Sequence, residues 1–155
     1  IDACMERLYG KSFDRGGTVA RRGKVISPVV AWVLEEGYFS ALPPKSCGRE
    51  EFGAGFISGF IERCKKAGAS DADVVATATA LTGESVLDGY RRFVWAHLGS
   101  AAPLAKTEFV VAGGGAKNAA LMEMLRHGLK PLGVNVKLME ELGVPGQAIE
   151  RFAAF

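Results

Sequence analysis

Residues 108–138 carry the pattern that most restricts how this chain can fold. "EFVVA" (108–112) is a short β-prone run and "GGGAKN" (113–118) is turn-forming. "AALMEMLRHGL" (119–129) repeats apolar residues at helical spacing, with Leu121, Met122, Leu125 and Leu129 expected inward, and "VNVKL" (134–138) alternates like a strand. After "GVPG", the run "QAIERFAAF" (147–155) reads as a further helix turning Ile149, Phe152 and Ala153 inward. Strand, helix, strand, helix implies an α/β layered domain with parallel pairing in this half.

The three glycines admit two readings. A strand ending in Gly113, Gly114 and Gly115 and feeding a helix at Asn118 brings bare backbone N–H groups to a helix N-terminus. Without Cβ atoms a ligand can approach closely, and the helix's positive end favours an anionic or strongly polar one, such as a nucleotide. A tight strand-to-helix turn needing positive φ accounts for the same glycines, and spacing alone leaves the two level. The stretch is neither a GxxxxGK[ST] loop nor a GxGxxG turn. Asn118 is placed either to cap the helix or to bond a base or ribose.

Earlier in the chain, "FDRGGTV" (13–19) has the composition of a turn between two short strands. From Ser27, "SPVVAWVLEEGYF" reads as a short helix with Gly37 as its stop. "SALPPKSCG" (40–48) is a loop that delivers Lys45, Ser46 and Arg49 to the next helix, where Phe52, Phe56, Phe60 and Cys64 recur at i+4. The glycines of "GAGFISG" (53–59) lie within that stripe and read as places where another backbone comes close. A long core helix follows from an N-cap at Ser70 or Asp71, with Val74, Ala78, Leu81, Val86, Tyr90 and Phe93 along one face.

Composition narrows the function classes. With 155 residues, 48% of them hydrophobic, the chain can bury one ordinary core and reads as a single domain over 1–155. Its net charge of +2 comes from short pairs such as Arg21–Arg22 and Lys65–Lys66, without interleaved aromatics, which argues against nucleic acid. Three cysteines without CxxC spacing and two distant histidines, His97 and His127, argue against a disulfide framework and a metal site. The missing disulfide framework makes a reducing cytoplasm the expected compartment, and no apolar run approaches the roughly 20 residues of a membrane span, so a soluble protein is expected. Ile1 at the start and an apolar run at the end lead to the expectation of a piece truncated at both ends.

Five stretches, in order, resemble one family. "GGGAKNAALM" is similar to the GGGAxNxxLM of the anhydro-N-acetylmuramic acid kinases, "LPPKSCGREEF" to their PPKSTGRExF, and "FDRGGTVARRGKV" to their DxxGxxAxxGxV. "IDACMERLYGKSFD" and "LGVPGQAIE" match in place, the latter resembling a GIPxxxxE motif. Cys47 stands where the family has Thr, and "ERFAAF" departs from its EAxAFA.

The resemblance implies the C-terminal lobe of an actin-like (ribonuclease H-like) ATPase fold, an α/β lobe with a mixed sheet and helices packed on it. Such kinases use ATP, Mg²⁺ and water to open the 1,6-anhydro ring of a recycled cell-wall amino sugar and to phosphorylate the freed O6. Gly113, Gly114, Gly115 and Asn118 would line the nucleotide side of the cleft, and Glu150 would contact the sugar. Lys45, Ser46, Gly48 and Arg49 would form a loop at the cleft or lobe junction. The catalytic aspartate and the GxMSGTSxDG phosphate loop belong to a partner N-terminal lobe, and neither stretch occurs in these residues, so this chain alone is expected to be inactive. A homodimer of the intact protein stays open. The rival readings are a non-catalytic nucleotide-binding or interaction module that kept the fold and, more distantly, a Rossmann-like cofactor domain.

Overall fold

In the computed structural model, which describes residues 1–46, 49–98 and 107–144, helices predominate and the sheet is small. The chain divides into two compact units, Ile1–Ser85 and Val86–Phe155.

The first unit opens with α1 (Asp2–Tyr9), which ends at Gly10 in the left-handed region (φ 62°). Next come two 3₁₀ turns, Arg15–Gly17 and Ala20–Arg22, where the sequence reading places a hairpin. The reason is Asp14. Its buried carboxylate accepts the N–H groups of Val19 and Ala20, each at 2.9 Å, and folds the segment back on itself before it can extend. The helix α2 (Ser27–Glu35) starts with a proline in its first turn and buries Val29, Val30 and Val33, as its spacing predicts. Extended Glu36 separates it from the short α3, which begins at Gly37 (Gly37–Ser40). The phenylalanine stripe is divided at Gly53 between α4 (Arg49–Phe52) and α5 (Ala54–Lys66). Gly55 and Gly59 do not admit a neighbouring backbone: a Cβ on either would meet nothing within 4 Å. They open instead on a groove of about 920 Å³ shared with Trp32, Tyr38, Phe52 and Phe56.

The long helix α6 (Asp71–Gly89) begins where Ser70 and Asp73 cap each other. The Ser70 N–H donates to the Asp73 carboxylate at 2.9 Å, and the Asp73 N–H to the Ser70 hydroxyl at 3.2 Å. Burial is continuous from Val74 to Leu81 rather than confined to one face. Thr77 and Thr79 tolerate it because their hydroxyls donate back to the carbonyls of Asp73 and Val75. Gly23 lies so close to the start of this helix that a Cβ would sit 2.1 Å from the Ala72 carbonyl oxygen.

In the second unit the helical path continues as a π-helical turn over Tyr90–Trp95 and then α7 (Ala96–Leu98). The wider turn shifts the helical phase, so Phe93, expected inward, is only half-buried, while Trp95 packs on the core. Strands β1 (Glu108–Val111) and β2 (Asn135–Leu138) then pair in parallel, Glu108 opposite Asn135 and Val111 opposite Leu138, as the strand–helix–strand order requires. The crossover helix α8 (Ala119–Leu129) buries Leu121, Met122, Leu125 and Leu129 against Leu87, Tyr90, Val134 and Val136. Cys47, Gly48 and the expected C-terminal helix, Glu150 included, lie outside the described residues.

Candidate functional site

The turn between β1 and α8 is built from four residues singled out above, and each glycine has its own reason. Gly113 takes φ 77° and ψ −165°, a backbone region essentially closed to residues with a Cβ. Its glycine is a requirement of the fold. Gly114–Lys117 then form a 3₁₀ turn, held by the Ala116 N–H donating to the Gly113 carbonyl at 3.2 Å and the Asn118 N–H to the Gly115 carbonyl at 3.0 Å. Gly114 is absent from the residues of positive φ, and a Cβ there would meet nothing within 4 Å. A Cβ on Gly115 would make only an ordinary contact, 3.6 Å from Leu121 Cδ2. The fold demands glycine at 113 and leaves open space at 114.

Asn118 closes the turn. Its Oδ1 accepts the N–H groups of Ala120 at 3.1 Å and Leu121 at 3.2 Å, and the residue is 7% exposed. The side chain therefore caps α8. Gly114 and Gly115, exposed at the head of the 3₁₀ turn, precede Ala116, whose N–H is the first that the turn itself satisfies. The first turn of α8 carries no acidic residue, so the helix's positive end is not offset by a carboxylate of its own.

The loop residues behave differently. Lys45 turns its ammonium back onto α3, donating to the carbonyls of Tyr38 at 2.8 Å and Phe39 at 3.3 Å, and sits 4.6 Å from the centre of the Tyr38 ring. It closes its own loop against the C-terminal end of a short helix, a role that no spacing in the sequence signals. Ser46 is exposed, and Arg49 begins α4. Lys45 and Ser46 belong to the first unit, and the glycine turn to the second.

Other chemistry-bearing groups are quiet. Cys4 and Cys64 are free and buried; burial pushes both thiols up, Cys64 to about 11, which keeps them from acting as thiolates. Among the described residues no group of three or more His, Cys, Asp or Glu side chains is placed to hold a metal ion, and no helix is long and apolar enough to cross a membrane.

The arrangement is that of α/β proteins in which a parallel strand delivers a glycine turn and a capped helix N-terminus to an open surface. The family model described as Anhydro-N-acetylmuramic acid kinase matches residues 1–155, and the chain belongs to that family. It is similar to the anhydro-N-acetylmuramic acid kinases of Bacillus cereus (strain AH820), Bacillus anthracis and Bacillus thuringiensis (strain Al Hakam). Each is 31% identical over 153 residues, which is 99% of this chain and 38% of the relative. The chain thus spans well under half the length of the relatives it matches.

Proposed function

We propose that this chain forms the nucleotide side of the cleft in an ATP-dependent kinase that hydrolytically opens 1,6-anhydro-N-acetylmuramic acid and phosphorylates its freed O6. Both units belong, in this reading, to the C-terminal lobe of a cytoplasmic, actin-like enzyme of cell-wall amino-sugar recycling. An N-terminal lobe contributes the aspartate that takes a proton from water and the first phosphate loop.

The observation that carries the reading is Gly114. Helix propensity, strain and packing all permit a side chain there, yet the position is glycine and the space in front of it is open. A nucleotide bound there would take the N–H groups of Gly114 and Gly115 as donors to its polar atoms, and the N-terminus of α8 would offset its negative charge. Gly113 sets the direction of the turn, and Asn118 lines the nucleotide side while its Oδ1 caps the helix end. ATP supplies the phosphoryl group, and Mg²⁺ is carried with its phosphates. Lys45, Ser46, Gly48 and Arg49 are assigned to a loop at the cleft or lobe junction, and Glu150 to the sugar.

The test is turnover. A protein of full kinase length should convert ATP and 1,6-anhydro-N-acetylmuramic acid to ADP and the 6-phosphorylated sugar, and residues 1–155 alone should not. Equal turnover by residues 1–155 would place the base within them and overturn the division of labour.

A further inference from the structure

The groove of about 920 Å³ lies within the first unit, walled by α2, α3, α4 and α5, and the proposed chemistry makes no use of it. That volume is in the range of small-molecule sites, about 300–1,000 Å³. Aromatic rings line it. Tyr38 meets Phe52 edge to face at 5.4 Å between ring centres, and Phe52 meets Phe56 in the same way at 5.1 Å. The cluster is held by these contacts and leaves the groove open. Trp32 stands half-buried on the α2 wall. Gly55 and Gly59, one turn apart on α5, line the groove without a side chain to fill it.

The charge at its margin narrows what can enter. Arg63 lays its guanidinium over the Trp32 ring, 3.4 Å from the ring centre. Stacking uses the face of the guanidinium and leaves its N–H groups, which point outward in its plane, for an acceptor. Among the described residues no carboxylate pairs with it, because the neighbouring Glu62 is held by Lys66 at 2.7 Å. An apolar slot with one uncommitted fork of donors suits a carboxylate attached to a ring. Glu36, one turn beyond Trp32 along the chain, and Glu51 line the rest of the groove and disfavour a second anionic group there.

We infer that the groove binds a small aromatic molecule carrying one carboxylate, its ring among Trp32, Phe52 and Phe56 and its carboxylate on the Arg63 guanidinium. The inference goes beyond the proposed kinase and uses no residue assigned to ATP or to the sugar, so either can fail alone.

The experiment is an NMR titration of the protein that the gene encodes in full, following the Trp32 indole N–H. Three probes share one ring system: indole-3-acetate, its neutral amide and the cation tryptamine. Indole-3-acetate should shift the Trp32 signal with a Kd of about 1 mM or below. It should bind at least about 10-fold more tightly than the amide or the amine. Arg63→Gln should remove that preference while leaving the amide's binding unchanged. Gly59→Leu, which places a side chain in the groove where nothing opposes it, should abolish the shift with the melting temperature within a few degrees of the unaltered protein's. Equal affinity for the three probes would overturn the inference, since an apolar patch without selectivity gives that result. So would the absence of any Trp32 shift, the result expected if a second copy or polypeptide outside residues 1–155 fills the groove.

Discussion

Replacing Gly113 and Gly114 by alanine, one at a time, separates a glycine kept for the backbone from a glycine kept for a ligand. At Gly113, φ 77° and ψ −165° put a Cβ in a region that costs about 1–3 kcal/mol. Alanine also stiffens the unfolded chain, which offsets roughly 0.4–1 kcal/mol. Gly113→Ala should therefore destabilise by a net ~1–2 kcal/mol. At Gly114 there is neither positive φ nor an atom within 4 Å of the added Cβ. Only the unfolded-state gain remains, so Gly114→Ala should be neutral or up to ~1 kcal/mol more stable. Urea unfolding of the two variants, compared at equal slope, measures the gap of about 2 kcal/mol directly. Equal stabilities, or a Gly114 variant as damaged as the Gly113 one, would refute the assignment of roles within the turn.

Asn118→Ala removes both cap bonds at the start of α8 and should cost about 1 kcal/mol, whereas Asn118→Asp keeps an acceptor there and should be tolerated; denaturant midpoints distinguish them. Gly23→Ala drives a Cβ to 2.1 Å from a backbone oxygen that cannot rotate away, so a loss of about 3 kcal/mol or failure to fold is expected, read by circular dichroism and expression. Asp73 accepts the Lys24 N–H and the N–H and hydroxyl of Ser70, which lowers its pKa from 3.8 to about 2. Because the folded value is the depressed one, its contribution is fully present above pH 3.8 and is lost as pH falls through about 2; Asp73→Asn should flatten the melting temperature over that window.

Periodicity made the second unit legible. Leu121, Met122, Leu125 and Leu129 are the residues α8 buries, and a strand–helix–strand order left parallel pairing as the outcome. What it did not convey came from side chains bonding to distant backbone. Asp14 turns an apparent hairpin into two 3₁₀ turns by accepting N–H groups five and six residues on, and composition cannot tell such a carboxylate from a solvated one. The π turn at Tyr90–Trp95 moved Phe93 off the core, an offset invisible to a fixed 3.6-residue period. At the glycine turn, the residue types and their order were plain. Which glycine the backbone needs depends on φ, ψ and the neighbours of an absent Cβ, and those exist only in the folded chain.

The measurement that bears most directly on the proposed function is the ATP affinity of the kinase-length protein with Gly114→Val. Valine fills the open space before the N–H groups of the turn while leaving the fold's own contacts alone, so the unfolding midpoint should stay within a few degrees. Calorimetry should then show ATP binding weakened by about 10²-fold or more. ATP affinity equal to that of the unaltered protein, in a folded variant, would contradict the account and leave the glycine turn a purely structural device.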